Sequence, residues 1–270
     1  MDLKKEINKL ENVHLMKPEK VFTMYLNTDP ADPDQQGGEW KIHLKNGLNN
    51  FEHYLQEDGD SDEKRNYWAV KEKVQNYIDE NEQHFGKSVV IIASADETVW
   101  FAERFQMPVE TAFYWEEQPV VDQLKEMYKQ FPKTGIILTQ KENIKLIDAE
   151  LAQLKDTKVY ELDLNTEDWR LHQGGHASGA STGSGGAKQS KSDQYNERFE
   201  ANRYRWYKSI APKLDKQAKE HGWEQIIMVG DKEEVDDLRD NMNKEVDKIV
   251  NKNLLDHEEM KVINQIVYEE

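Results

Sequence analysis

The residues best suited to chemistry in this 270-residue chain lie in one glycine-rich segment. Six of the 14 glycines fall between positions 174 and 186, in the runs Gln173-Gly174-Gly175-His176 and Gly185-Gly186-Ala187-Lys188-Gln189. Glycine pairs let a backbone approach a ligand closely with its N–H groups exposed. No phosphate-binding or dinucleotide-binding glycine spacing is present. The segment 172–190 is therefore predicted to be either a functional loop or a flexible Gly/Ser linker.

A basic and aromatic segment overlaps the end of this loop. Residues 171–213 contain seven basic and three acidic residues, although the whole chain has 36 basic against 53 acidic residues and a net charge of −17. Such a local excess indicates contact with a polyanion, while the acidic remainder opposes non-specific binding. The candidate residues for this polyanion contact are Lys188, Lys191, Arg198, Arg203, Arg205 and Lys208.

The stretch from about 191 to 211 lacks Gly and Pro, which predicts a long helix that Pro212 either ends or follows with a new one. Phe199, Trp206 and Ile210 recur at helical spacing and are predicted to face the core. Because these three apolar residues define the buried side of the helix, its charged residues are expected on the other faces.

The arginines of this helix allow two interpretations. Arg198 and Arg205 are seven residues apart and share a face, from which they can pair with phosphates. Alternatively, the arginines form surface salt bridges with Glu197 and Glu200, and the aromatic residues are all part of the core.

The other elements predict an α/β (α+β) fold with two mixed-sheet domains, 1–115 and 116–270. Apolar alternation or periodicity predicts strands at 21–27, 88–94, 98–105, 134–140, 144–151, 157–164 and 223–230, and helices at 2–12, 39–57, 62–84, 119–130 and 231–242. The strands between 134 and 164 are close in sequence and predict an antiparallel meander. Pro119 fits a first helical turn, and the tail predicts a helix and a short strand at 266–270.

Composition excludes several classes of protein. The absence of cysteine excludes a disulfide scaffold, a thiolate metal site and a cysteine nucleophile. No apolar run is long enough to span a membrane and no signal peptide is evident, so a cytoplasmic protein is expected. His172 and His176 flank a glycine pair that opposes a helix, and no metal or other cofactor is expected.

The order of strand meander, glycine loop, the helix QSKSDQYNERFEANRYRWYKSIAPKL and the strand WEQIIMVG resembles the central domain of archaeo-eukaryotic class 1 peptide-chain release factors. TMYLNTDP, SVVIIASADETVWFAERF and TGIILTQKENIKLIDAEL are similar to segments of bacterial members of that superfamily. The resemblance covers roughly 20–240. The family carries a contiguous Gly-Gly-Gln, whereas two residues separate the glycines from Gln189 here, as in the spaced loops of Vms-like relatives.

The resemblance implies a role in release or rescue of peptidyl-tRNA on the ribosome. It makes Gln189 the candidate residue that places water near the ester carbonyl, with Gly185 and Gly186 as enabling residues. The partners it implies are ribosomal RNA and tRNA, with no DNA or membrane partner. The family's third domain, which docks a translational GTPase, has no counterpart in the sequence, so a GTPase partner is left open.

Three alternatives remain open from the sequence. The protein can occupy the tRNA site of idle ribosomes as a non-catalytic hibernation or protection factor, which needs the basic helix but not Gln189. It can cleave the tRNA end as an endonuclease, with an arginine as electrostatic catalyst. It can also act as a structural adaptor without RNA contact.

Overall fold

The computed structural model describes residues 2–35, 37–58, 60–163, 166–173 and 188–268. These residues divide into two compact units, Met1–Gln130 and Phe131–Glu270, and each is described by itself. The division falls after the predicted helix at 119–130, whereas the boundary expected from the sequence, 115/116, falls before it. Within the described ranges, no helix combines the length and the apolar character needed to cross a membrane.

The first unit packs helices on a four-stranded sheet of order β3-β2-β1-β4. Its elements are α1 (Leu3–Glu11), β1 (Val21–Asn27), α2 (Trp40–Asp58), α3 (Ser61–Asn81), β2 (Ser88–Ser94), β3 (Trp100–Phe105), β4 (Ala112–Glu116) and α4 (Asp122–Gln130). Helical spacing predicts one apolar face of α3 from Tyr67, Val70, Val74, Tyr77 and Ile78. The structure confirms it, because Tyr77 is partly buried and the other four are buried. These side chains pack on the apolar face of β1 and β2 and form the core of the unit.

Every described pairing in this first sheet is antiparallel. The α/β class is confirmed, but this sheet is not mixed as expected. The reason is the connection between β1 and β2, which consists of two helices rather than one. A helix pair returns the chain to the end of the sheet from which it left, so β2 runs back along β1.

In the first unit, one local prediction is wrong and one strand was not predicted. Pro119 does not lie in the first turn of α4, because α4 begins at Asp122. The Val120 N–H donates to Thr23 Oγ1 at 3.2 Å, and the Val120 carbonyl accepts from the Tyr25 hydroxyl at 2.7 Å. These bonds hold the chain against β1 before the helix starts. β4 was not predicted from the sequence at all.

The second unit has a six-stranded mixed sheet of order β10-β9-β5-β6-β7-β8. Its elements are β5 (Thr134–Gln140), β6 (Asn143–Glu150), β7 (Gln153–Asp163), β8 (Asp168–Gln173), α5 (Lys188–His221), β9 (Gln225–Gly230), α6 (Lys232–Arg239), β10 (Lys248–Val250) and α7 (Glu259–Tyr268). The predicted antiparallel meander is confirmed from β5 to β7, and β8 extends it. β5, β9 and β10 are parallel.

α5 is one continuous helix through Pro212, which neither ends it nor opens a new one. Proline removes one helical hydrogen bond, but Pro212 is on the exposed side, where water can satisfy the freed carbonyl. Ala211 and Leu214 on either side are buried and anchor both halves of the helix. Burial of the apolar face of α5 therefore outweighs the loss of one helical hydrogen bond at Pro212.

The tail was predicted to end in a strand at 266–270, but α7 covers its described part. Val262, Ile263 and Ile266 are buried, and their spacing forms one helical stripe. Local β-propensity is overridden because a single helical face can bury all three side chains.

Candidate functional site

The predicted catalytic residues fall at the edge of the described structure. Gly185 and Gly186 lie outside the described residues. The backbone of Gln189 is the second residue of α5, which begins at Lys188. The side chains of residues 188–196, which include Lys191, lie outside the described part of the chain.

The buried face of α5 is the predicted one. Phe199, Trp206 and Ile210 are all at most 2% exposed, which confirms their core assignment. Tyr207, to which the spacing assigned no position, is also fully buried. The Trp169 indole N–H from β8 donates to the Trp206 carbonyl at 3.2 Å, so the helix is bonded to the sheet as well as packed on it.

Arg203 lies at the centre of an ion-pair cluster. Its guanidinium donates to Asp237 at 2.6 Å, to Glu200 at 2.5 Å and to Glu233 at 3.3 Å. The Arg203 side chain is only 15% exposed. The Glu200 contact is the salt bridge considered in the sequence, and the two others tie α5 to α6. These three hydrogen bonds use most of the N–H donors of the Arg203 guanidinium, so its contacts hold the two helices together.

Arg198 and Arg205 form a second and more open arrangement. The Arg198 guanidinium donates to Glu167 Oε1 at 3.0 Å, and the Arg205 guanidinium donates to Glu167 Oε2 at 2.8 Å. The prediction that they share a face is thus confirmed. The hydrogen bond from Arg198, together with the charge of Arg205, lowers the pKa of Glu167 below its usual range.

The turn between β7 and β8 supplies further carboxylates to the same surface. Asp163 binds the Arg170 guanidinium, and Asp168 lies 3.4 Å from the Lys213 ammonium. A backbone hydrogen bond from Trp169 and the Lys213 ammonium lower the pKa of Asp168. The role of this acidic turn could not be predicted from the sequence, because its partners in α5 lie 31 to 45 positions further along the chain. A signal was present in the pair Glu167-Asp168, which begins three positions after the end of the predicted strand at 157–164.

Two further exposed residues complete the outer surface of α5. Tyr204 is 54% exposed, and Lys208 lies one turn further along the helix and is also exposed. No acidic partner of Lys208 is found among the described side chains. An exposed aromatic ring beside cationic groups is an arrangement that nucleic-acid-binding proteins use for base stacking and phosphate contact.

Beneath this surface, a buried polar network joins α5 to the sheet. The Tyr207 hydroxyl is 2.9 Å from Thr139 Oγ1, 3.2 Å from the Lys141 carbonyl oxygen and 3.2 Å from Glu234 Oε2. Glu234 also accepts the Lys141 backbone N–H at 3.0 Å. Lys141 has a φ of 51°, which is unfavourable for a side-chain-bearing residue. The network therefore holds the β5–β6 turn in place.

Replacing Tyr207 with phenylalanine is expected to lower the free energy of unfolding by about 1–3 kcal/mol, because it leaves buried acceptors without a donor. Urea denaturation measures the change. Tyr160→Phe is the matched control, since the Tyr160 hydroxyl has no hydrogen-bond partner among the described residues and its loss should be nearly neutral. Equal effects of the two substitutions would contradict a stabilising network.

Glu234 should shape the pH dependence of stability. Burial raises the pKa of Glu234, although the Lys141 N–H and the Tyr207 hydroxyl oppose the shift. A carboxyl whose pKa is higher in the folded state destabilises the fold as pH rises from its ordinary value through the raised one. Glu234→Gln removes this titration and keeps an acceptor oxygen. We expect the variant to gain stability over the wild type across that pH interval, measured as unfolding free energy against pH; parallel profiles would contradict the assignment.

Comparison with known proteins identifies the class of this chain. The model of the bacterial archaeo-eukaryotic release factor family 5 matches residues 132–268, and the chain belongs to this family. Family membership implies a release-factor-like role in translation and association with the ribosome. The resemblance found in the sequence is thereby confirmed.

Individual relatives were found by sequence and by structure. The uncharacterized protein YocB of Bacillus subtilis (strain 168) is 36% identical over 263 residues, which is 97% of either chain. The archaeal translation termination factor aRF1 is 12% identical with a TM-score of 0.29, covering 99% of this chain and 70% of that one. An archaeal protein is 12% identical with a TM-score of 0.30, covering 93% of this chain, which spans 66% of that protein's length.

Proposed function

We propose that this protein is a ribosome-associated release or rescue factor that hydrolyses peptidyl-tRNA through the loop 172–190. The observation that carries the proposal is the position of Gln189 at the first turn of α5, in the unit that the release factor family matches. A glutamine at the start of a long helix is held at a defined distance from the sheet by the helix itself. The helix can therefore present it to a distant reaction centre.

In the proposed reaction, water attacks the carbonyl carbon of the ester that links the peptide to tRNA. The bond from that carbon to the ribose oxygen breaks, and the water proton passes to this oxygen. The products are the free peptide and a tRNA with an intact 3′-hydroxyl. Gln189 would orient the water through its amide, which both donates and accepts hydrogen bonds. Gly185 and Gly186 would permit close backbone approach.

This reaction needs no strong base from the protein. Positioning and electrostatic stabilisation can supply a large part of the lowering of such a barrier. The segment from Gln173 to Gln189 contains no carboxylate, which is consistent with a reaction that uses no base from the protein. The ribosome would provide the surrounding polar groups.

The exposed cations of α5 are the proposed RNA contacts. Arg198, Arg205 and Lys208 lie on the exposed side of the helix, and Tyr204 beside them can stack on a base. Lys188 and Lys191 extend the same charge toward the loop in the sequence. Arg203 is proposed to act by fixing α5 on α6 rather than by meeting RNA directly, because three carboxylates already bind it.

The test is a release assay on stalled bacterial ribosomes that carry labelled peptidyl-tRNA. Addition of the protein is expected to convert peptidyl-tRNA into free peptide and tRNA with an intact 3′ end. A shortened tRNA would instead identify an endonuclease. Failure to sediment with ribosomes would leave only an adaptor without RNA contact.

A hibernation or protection factor is the second candidate, and one observation favours it. Gln189 is separated from the second glycine pair by Ala187 and Lys188, whereas the release factor loop has a contiguous Gly-Gly-Gln. A non-catalytic factor that fills the tRNA site needs the exposed cations but not the amide. Sedimentation with ribosomes without any release activity would favour this candidate.

A further inference from the structure

We infer that Glu167 occupies a phosphate-binding position and is displaced from it when RNA binds. In the free protein, its carboxylate stands in for an RNA phosphate between Arg198 and Arg205. The inference rests on the proposed RNA contact of α5 and deepens it, because it names the two-arginine site and the group that regulates access to it.

The geometry of the three side chains carries this inference. Each oxygen of the Glu167 carboxylate accepts from a different guanidinium, at 3.0 Å from Arg198 and 2.8 Å from Arg205. Two guanidinium groups that converge on one small anion with paired oxygens form an arrangement that suits a phosphate as well as a carboxylate. A phosphodiester can therefore replace the carboxylate without rearrangement of the helix.

Solvent exposure separates this site from the other arginine of the helix. The Arg198 and Arg205 side chains are 49% and 60% exposed, and Glu167 is 37% exposed. Arg203 is 15% exposed and is bound by three carboxylates. A ligand can thus reach the pair at Glu167, whereas the ion-pair cluster of Arg203 would have to be dismantled first.

Displacement of Glu167 is energetically more favourable for RNA than for an isolated anion. Exposed ion pairs contribute little to stability, so their loss is a small obstacle. An RNA strand gains further from several phosphates at once and from the release of its condensed counterions. A single small anion gains neither. The Glu167 carboxylate would therefore compete with weakly and non-specifically bound anions for the two arginines.

Acidic residues also bind cations on both sides of Glu167. Asp163 binds Arg170, and Asp168 lies beside Lys213. Carboxylates from one turn thus neutralise cations of both β8 and α5. Asp163 and Asp168 thus each bind one nearby cation, whereas Glu167 binds two arginines of α5 at once.

The test compares Glu167→Gln with Glu200→Gln by fluorescence anisotropy of a labelled short oligouridine at low and at raised salt. Both substitutions remove one negative charge, and the control residue binds the less accessible Arg203. Glu167→Gln is expected to tighten binding about threefold at low salt, the scale of an exposed ion pair, and the gain should shrink as salt screens the charges. Glu200→Gln should change affinity much less.

The outcomes separate this inference from the proposed function. Equal gains from the two substitutions would reduce the effect to net charge and overturn the inference, as would unchanged or weaker binding by Glu167→Gln in a protein with wild-type melting temperature. The double variant Arg198→Glu/Arg205→Glu is measured in parallel. If that variant binds the oligouridine as the wild type does, the proposed RNA contact itself fails.

Discussion

Peptide release from stalled ribosomes is expected to fall by on the order of 10²-fold when Gln189 is replaced by alanine, the scale seen when one positioned polar group is lost from an active site. Ribosome binding should persist, because the substitution leaves the exposed cations of α5 in place. Alanine also favours a helix, so α5 should be preserved. Single-turnover release and sedimentation with ribosomes measure the two properties separately.

Gly185→Val and Gly186→Val should reproduce the loss of release, because a β-branched side chain restricts the backbone and blocks its close approach. Gln173 differs from Gln189 in position, because it is the last residue of β8 and precedes the first glycine pair. Gln173→Ala is the matched control. If it abolishes release while Gln189→Ala does not, the first glycine pair is the functional one. If neither matters in a verified assay, the hibernation role is the better explanation.

The parts of the fold that the sequence predicted are those that depend on local periodicity. The buried stripe of α3 and the core face of α5 follow from helical spacing alone. The start of α6 is similar: an aspartate before a helical stretch predicts an N-cap at Asp231, and Asp231 accepts the Glu233 backbone N–H at 3.0 Å. In each case, the residues that decide the structure lie within a few turns of one another.

The errors in the sequence prediction arise where distant residues decide the local structure. The start of α4 depends on hydrogen bonds that join the Val120 backbone to the side chains of Thr23 and Tyr25, almost a hundred positions earlier. α7 forms where a strand was predicted, because a helix buries Val262, Ile263 and Ile266 together against the rest of the unit. Neither effect can be read from the segment itself.

The candidate site shows the same division. The exposed pair Arg198 and Arg205 could be predicted from their spacing, but not their partner Glu167 across the sheet edge. Arg203 could not be distinguished from them by composition or charge. Its different role depends on Asp237 and Glu233 in α6, which only the tertiary fold brings to it.

The double substitution Arg198→Glu/Arg205→Glu is expected to weaken ribosome association on the order of 10²- to 10⁴-fold at low salt. Each lost hydrogen bond between a guanidinium and a phosphate is worth about 1.5–3 kcal/mol, and two are removed. The salt dependence should also flatten, by about 0.7 in the slope of log K against log salt for each phosphate contact with single-stranded RNA. The melting temperature should change little, because both side chains are largely exposed. Sedimentation across a salt series measures the association.

Lys216→Glu/Lys219→Glu supplies the control for this experiment. It reverses two charges on exposed positions of the same helix, near its far end, and alters the net charge equally. A general electrostatic attraction between ribosome and protein predicts equal losses for the two double variants. A specific phosphate contact predicts a large loss for the arginine pair alone. Unchanged association of the arginine variant would instead mean that Arg198 and Arg205 serve only to bind Glu167, and the RNA contact would have to lie elsewhere.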